Sequence, residues 1–249
     1  MEKNLLLFNK SYFYKSAAWL SIFFTLLIQS CNSPGTDPVN PYDYFPVEIG
    51  RYQIYQVDEA VYSAGQKIPV LKTWQEKNEI VRMNKDSAGK QIFIVSVSIR
   101  KNASEYWIKN KEYSVSATPD KIVINLDNQL LTPLVFPYDL RVKWDGYQYF
   151  NLDDDDPRYG SLHHYEKINE PLTIDSIKFE NTLKVSERND TTSQAQYNLG
   201  FKYYASGIGL VADEQTDFEY LQENGNFVGY RTIGSGTKRI RKILEYGNR

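Results

Sequence analysis

The sequence predicts a mainly β protein with a single antiparallel domain, preceded by a signal peptide and a tether. Three observations carry this reading. Apolar and polar residues alternate with a period of two from Arg51 onward, turn residues recur between the alternating runs, and 14% of the 249 residues are aromatic, 20 of them tyrosine. β-Branched and aromatic side chains suit a pleated, half-buried surface. Strands that follow one another through short turns pair antiparallel, because a parallel pair needs a long crossover. The remaining length fits one large domain. Composition removes several classes. Hydrophobic residues at 41% and charged residues at 24% exclude a disordered chain, and 14 Gly with 10 Pro exclude a collagen-like one. With 29 basic and 31 acidic side chains the net charge is −2, which gives no general attraction to nucleic acid.

Residues 1–30 read as a secretory signal. Lys3, Lys10 and Lys15 form a basic leader, Ala17 to Ile28 an apolar stretch of twelve residues, and Gln29-Ser30 ends in a small residue. The apolar run is shorter than the roughly 20 residues of a spanning helix. The long basic leader keeps an uncleaved signal anchor as the minor alternative. Ile28-Gln29-Ser30-Cys31 resembles the lipobox of bacterial lipoproteins. That resemblance implies a diacylglyceryl group on the sulfur of Cys31, cleavage before it, and acylation of the new amino group, for example by palmitate. Two or more acyl chains hold stably where one binds reversibly. Cys31 is the expected lipidation residue and the expected link to the membrane.

Residues 31–43 then form the lipidated cysteine and a tether rich in Pro, Asn, Ser and Gly, with nothing to bury. Asn32 is not the aspartate that resembles an inner-membrane retention signal, and the acidic cluster that resembles a surface-export signal is missing. An outer-membrane anchor facing the periplasm follows as the expected location. Loss of residues 1–30 removes three lysines and Glu2, leaving 26 basic and 30 acidic side chains and no thiol besides Cys31.

The antiparallel β domain is expected over 44–249. Tyr52, Ile54 and Val57 open the alternation. In Gln91 to Ile99, Phe93, Val95, Val97 and Ile99 share one face against Ile94, Ser96 and Ser98. Lys121 to Leu126 and Ser176 to Val185 repeat the pattern. Leu71 to Met83 fits a mild amphipathic helix or a strand. Glu219 to Thr232 places two alternating arms around Asn224-Gly225, a strong hairpin signal. Lys238 to Tyr246 alternates as Ile240, Leu244 and Tyr246 or forms a short helix. The tyrosines suit cross-strand pairing and, less often, an aromatic-lined groove.

Tyr44-Phe45-Pro46 with Ile49-Gly50-Arg51-Tyr52 and Tyr55 resembles the opening of Bacteroidota outer-membrane lipoproteins of unassigned function. Leu134 to Trp144, Ile177 to Val185 and Tyr204 to Val211 resemble later segments of that group, although its mid-chain glycine is replaced at Arg141 or a neighbour. The group is similar in turn to LolA/LolB-like folds. The resemblance implies a curved sheet forming a half-open barrel around an apolar cavity. It also implies a non-enzymatic module that binds an apolar or amphipathic ligand or assists envelope assembly, with a lipid or a partner protein as partner.

The residues themselves point to no catalytic, cofactor or metal site. Asp153 to Asp156 could attract Ca²⁺, but an EF-hand frame puts Arg158 at the required glycine and His164 at the required glutamate. His163 and His164, as neighbours on a strand, face opposite ways and read as surface or packing residues. Gly234-Ser235-Gly236 lacks the outer glycine spacing of a nucleophile elbow, and Gly207-Ile208-Gly209 lacks a third glycine and a helix. Glu166 and Glu170 are carboxylates without assignable roles. Lys238-Arg239-Ile240-Arg241-Lys242 reads as a solvated strand edge, with anionic headgroups as the rival. Asp86-Ser87-Ala88, Asp175-Ser176-Ile177 and Asp190-Thr191-Thr192 resemble Bacteroidota O-glycosylation tripeptides. A protein- or glycan-docking module is the second functional reading, and a hydrolase without a recognisable motif the third.

Overall fold

The computed structural model describes residues 40–249 except Gly65 and Lys67, so the expected signal, Cys31 and most of the expected tether lie outside the described residues. Every regular element described is a strand. In chain order these are β1 (Arg51–Tyr62), β2 (Val70–Lys85), β3 (Gln91–Arg100), β4 (Ile108–Thr118) and β5 (Lys121–Leu126). Next come β6 (Gln129–Val135), β7 (Lys143–Trp144), β8 (His163–Ile174), β9 (Ile177–Asp190) and β10 (Gln196–Ala205). The last are β11 (Gly209–Tyr220), β12 (Gln222–Glu223), β13 (Asn226–Phe227) and β14 (Ile233–Asn248).

Twelve strands form one antiparallel sheet in the order β6-β5-β4-β3-β2-β1-β14-β11-β10-β9-β8-β7. It is a meander in which the last long strand inserts between β1 and β11, so the start and end of the domain lie side by side. Its two edges, β6 and β7, meet. The Thr132 amide donates to the Gly146 carbonyl at 2.9 Å, and the Trp144 indole donates to the Thr132 carbonyl at 2.8 Å. Tyr165 on β8 reaches across to β6, its hydroxyl donating to the Val135 carbonyl at 2.6 Å. These bonds occupy edge groups that would otherwise template another strand. The half-open barrel expected from the sequence is therefore nearly closed.

An antiparallel meander sends alternate connections to opposite ends. One end carries Asn40 to Gly50, the 136–142 loop and the C-terminus, where the Arg249 amide donates to the Gly50 carbonyl at 3.1 Å. This end is plugged. Tyr44 is only 1% exposed; its ring stands edge-on to Tyr138 at 5.3 Å, and its hydroxyl donates to Asn169. Tyr138 in turn stands edge-on to Phe136 and Tyr165, and its hydroxyl donates to the Pro41 carbonyl. Such T-shaped pairs set the negative face of one ring against the positive edge of the next. The other end, with loops 63–69, 101–107 and 145–162 and the β12–β13 lobe, forms the mouth.

Val95 and Val97 face inward as the alternation predicts. Leu71 to Met83 lies within β2, which settles the helix-or-strand choice for strand. Asn224 and Gly225 have φ of 52° and 78°, the left-handed pair that a two-residue hairpin requires. That hairpin is a small lobe, because the arms β12 and β13 pair over two residues each and the chain then enters β14. Lys238 to Tyr246 is strand, not helix, but its alternation is corrected. Arg239, Arg241 and Ile243 face inward opposite Glu59, Val57 and Tyr55, so Ile240 faces outward; a bulge then passes over Leu244, and Leu244 and Tyr246 are exposed. One extra residue reverses which parity faces the core.

Gly146 marks a tight approach at the closing seam, since a Cβ there would fall 2.4 Å from the His163 ring. Gly146→Ala is expected to lower stability by about 1–3 kcal/mol through overpacking, read as a lower urea midpoint with unchanged slope.

Candidate functional site

The barrel encloses a cavity of about 610 Å³, within the size range of ligand sites. Its walls differ. Ile80, Val95, Val97, Ile124, Leu126 and Leu131, from β2 to β6, supply an apolar wall, and Phe45 and Pro46 of the plug line it from the closed end. β9, β10, β11 and β14 supply charge.

The charged wall follows from register. Cross-strand partners share a face, and Arg241 lies opposite Asp213, which lies opposite Lys202. One step toward the mouth, Arg239, Gln215, Gly200 and Arg188 form the next row across the same strands. The inward residues thus run in a belt of alternating sign. Arg241 donates to Glu76 Oε1 at 2.8 Å and to Asp213 Oδ2 at 2.9 Å. Lys202 donates to Glu187 Oε1, and the Gln215 amide bridges Glu187 Oε2 at 2.9 Å to Asp213 Oδ1 at 2.8 Å. Arg188 Nη2 reaches Gln215 Oε1 at 2.9 Å and Asp217 Oδ2 at 2.8 Å. Arg158, in the mouth loop, pairs with Asp156 at 2.6 Å. Gly200 makes room, since a Cβ there would meet Gln215 Oε1 at 2.7 Å.

Burial and pairing set the protonation of this belt. Burial alone pushes the Glu187 carboxyl up, but Lys202 and then His163 overturn it and hold Glu187 well below the usual range. Burial likewise opposes ionisation of Asp213, and Lys202 and Arg241 prevail. Asp217 goes the other way, because burial outweighs Arg188 and raises it. Burial pushes the Tyr113 phenol up to about 12.

Since Glu187 and Asp213 titrate lower in the fold than in the unfolded chain, the unfolded chain takes up protons first as pH falls. Their contribution is full above the ordinary carboxylate values near pH 4 and is lost as pH drops from there toward the folded values. Asp217 partly offsets this, because its raised value favours the fold on protonation. Urea midpoints are therefore expected to stay flat from neutral pH to about 5 and to fall below it; a midpoint rising toward pH 4 would contradict the belt's protonation state.

Residues singled out by sequence are dispersed. His163 is fully buried, with its ring 5.6 Å from Trp144, 5.0 Å from Tyr147, and Nε2 at 3.5 Å from Glu187. His164 faces the other way and is half-buried. Asp153, Asp154 and Asp155 are exposed, and only Asp156 reaches the cavity lining. Among the described residues no three His, Cys, Asp or Glu side chains are gathered to hold a metal ion. Glu166 pairs with Lys184 and Glu170 with Lys167. The Ser235 hydroxyl donates to Glu219 at 2.9 Å, and Gly207-Ile208-Gly209 is the tight turn between β10 and β11. Asp86, Asp175 and Asp190 each stand where a hairpin turn begins; the Asp86 carboxylate accepts from the amides of Ala88 and Lys90, both at 2.9 Å.

The basic run 238–242 is corrected. It sits on β14, between β1 and β11, and so is no sheet edge. Arg239 and Arg241 turn inward to the cavity, while Lys238 and Lys242 turn outward to Glu214 and Asp175. The belt itself escaped sequence reading. Its signal was period-two polarity, Asp213-x-Gln215-x-Asp217 facing Arg239-x-Arg241, where apolar residues would mark an ordinary core face.

Fold and site define an antiparallel β-barrel plugged at one end, with a two-faced, ligand-sized cavity. No family model and no curated protein matches the chain. Among solved structures, the chain is similar to a provisionally assigned lipoprotein of Parabacteroides distasonis ATCC 8503, at 11% identity over 82% of this chain and 98% of that one, TM-score 0.43. It is also similar to a provisionally assigned exported protein with a YmcC-like fold from Bacteroides fragilis NCTC 9343, at 11% identity over 81% and 98%, TM-score 0.36. A DUF1329 family protein from Desulfovibrio piger ATCC 29098 matches at 12% identity over 81% and 87%, TM-score 0.21.

Proposed function

We propose that the chain is a non-enzymatic lipoprotein of the cell envelope, anchored in the outer membrane through Cys31 and facing the periplasm, whose barrel receives an amphipathic ligand. The observation that carries this is the cavity of about 610 Å³, with an apolar wall from β2–β6 facing a charged wall from β9–β11 and β14. A ligand with one apolar and one polar part satisfies both walls, whereas a wholly apolar one would strip water from the belt without replacing its hydrogen bonds. The carboxylates fit a binding role better than acid–base chemistry. Glu187 and Asp213 are locked to cations and held ionised, far from the neutral-pH poise of a general acid, and His163 is sealed from the cavity. The described domain begins at the plug end, opposite the mouth.

Native mass spectrometry of the chain from Asn32, exported to a bacterial periplasm and purified without detergent, tests the cavity. A lipid-sized adduct lost on denaturation is expected, and a clean apo mass would sink the reading. Cys31→Ala is expected to abolish incorporation of labelled palmitate and to leave residues 1–30 attached, read as a heavier chain by mass spectrometry of the membrane fraction. A second reading, docking of a partner protein or glycan, draws support from the mouth end, where Ile68, Leu71 at the start of β2, Tyr106, Tyr159 and Tyr230 are exposed. Pull-down from envelope extracts, lost when Tyr106 and Tyr230 are changed to serine, would favour it.

A further inference from the structure

We infer that the polar part of the ligand is an uncharged head bearing several hydroxyls, joined to a single apolar chain, and that the mouth-side half of the charged wall receives that head. This deepens the reading of the barrel as a binding cavity and rests on it. What carries it is a wall whose charge balances at each depth while its hydrogen bonds stay open in both senses.

Six carboxylates and six cations line the cavity. The deep layer holds Glu76, Glu187 and Asp213 with Arg188, Lys202 and Arg241, none with a side chain more than 18% exposed. The mouth layer holds Glu59, Asp156 and Asp217 with Lys111, Arg158 and Arg239, none of them buried. A head with a formal charge finds no opposite charge left over in either layer, and would give up its water without compensation. A zwitterion would have to displace pairs already made, such as Asp217 with Arg188 at 2.8 Å and Asp156 with Arg158 at 2.6 Å.

The hydrogen bonds are a different matter. Among the lining residues, Asn78 Oδ1 and Asp217 Oδ1 are buried acceptors without a donor, and Arg188 Nε and Arg241 Nε are buried donors without an acceptor. The groups nearer the mouth alternate in the same way. Glu59 faces Arg239 across β1 and β14, and Arg239 faces Gln215 across β14 and β11. Neighbouring strands lie about 4.8 Å apart, so carboxylate, guanidinium and amide come within reach of one small head. A hydroxyl donates once and accepts through two lone pairs without carrying charge. A head with several of them serves both kinds of group and disturbs no ion pair.

Size and the facing wall supply the rest. At about 30 Å³ for a water-sized group, a cavity of about 610 Å³ holds roughly twenty of them, one chain with a small head rather than two chains. The wall opposite the belt offers Val95, Val97, Ile124, Leu126 and Leu131 to that chain.

The test uses the full chain in phosphatidylcholine vesicles and photoreactive probes that share a twelve-carbon chain and differ in the head: glyceryl, glucosyl, carboxylate, trimethylammonium or phosphocholine. Labelled peptides are mapped by mass spectrometry at equal vesicle-bound amounts of probe. The glyceryl and glucosyl probes are expected to label the peptides carrying Val95–Val97 and Ile124–Leu126 about tenfold more than the other three, the scale of one hydrogen bond to a charged group. Whichever of the two leads identifies a glycerolipid-like or a sugar-bearing source. Glu59→Gln leaves the mouth layer one positive charge over and is expected to raise carboxylate labelling about threefold. Arg239→Gln leaves it one negative charge over and is expected to do the same for the ammonium probe. Neither residue is buried, and each probe is compared with itself across the variants, which removes differences in membrane partition. Equal labelling by all five heads, a lead by any charged or zwitterionic head, or variants that shift neither charged probe would each overturn the hydroxyl head while leaving the cavity reading intact. No labelling of these peptides by any probe would overturn the cavity reading and the inference with it.

Discussion

Glu187→Gln is expected to destabilise the domain by about 3–5 kcal/mol, because it strands a buried cation rather than removing a contact. Glu187 is 1% exposed and is the acceptor for Lys202, for Gln215 and, at longer range, for His163. The glutamine keeps the shape and loses the charge that Lys202 requires. Lys202→Met is expected to be comparably harmful, by leaving Glu187 alone. The pair Glu187→Leu with Lys202→Met should recover most of the loss, since an apolar replacement of a whole buried ion pair is often neutral or stabilising. Urea denaturation of the four proteins closes the cycle. If the double variant is no more stable than either single one, the belt is a larger unit than this pair. If it recovers stability yet loses ligand, the ionic belt is maintained for binding.

Tyr44→Ala is expected to cost a further large amount, about 3–5 kcal/mol, the scale of truncating a buried aromatic side chain. Tyr44 stands at the centre of the plug, edge-on to Tyr138 and bonded through its hydroxyl to Asn169. Its removal leaves a void between the entering chain and the barrel floor, and limited proteolysis is expected to cut near Tyr42 to Val47. Tyr44→Phe keeps the ring and loses only the hydroxyl, so a loss of about 0.5–1.5 kcal/mol is expected. Equal losses from the two variants would show that the hydroxyl, not the ring, holds the plug.

Much of the architecture was legible because strand patterns are local. Phe93, Val95, Val97 and Ile99 share a face in any strand, and Asn224-Gly225 favours a hairpin wherever it stands. The face of β14 was not, because two of its inward positions carry Arg239 and Arg241 in place of apolar residues, and a bulge at Leu244, set by pairing with β1 far away in sequence, then shifts the register. The plug was visible only as an aromatic cluster, Tyr42, Tyr44 and Phe45. That these rings enter the barrel depends on Phe136, Tyr138 and Tyr165, which arrive about a hundred residues later.

The sequence by itself determined the class and the address: an antiparallel β domain behind a signal and the lipobox-like cysteine at Cys31, because periodicity and leader composition are properties of short windows. Only the tertiary structure decided what the cavity is. Lys202, Asp213, Arg241 and Glu76 look like ordinary surface charges in their own strands. They become a belt when pairing aligns β10, β11 and β14 and the closed sheet brings Glu76 of β2 to Arg241. Charge in a barrel interior is a matter of which strands meet and in which register, and that is settled by non-local pairing.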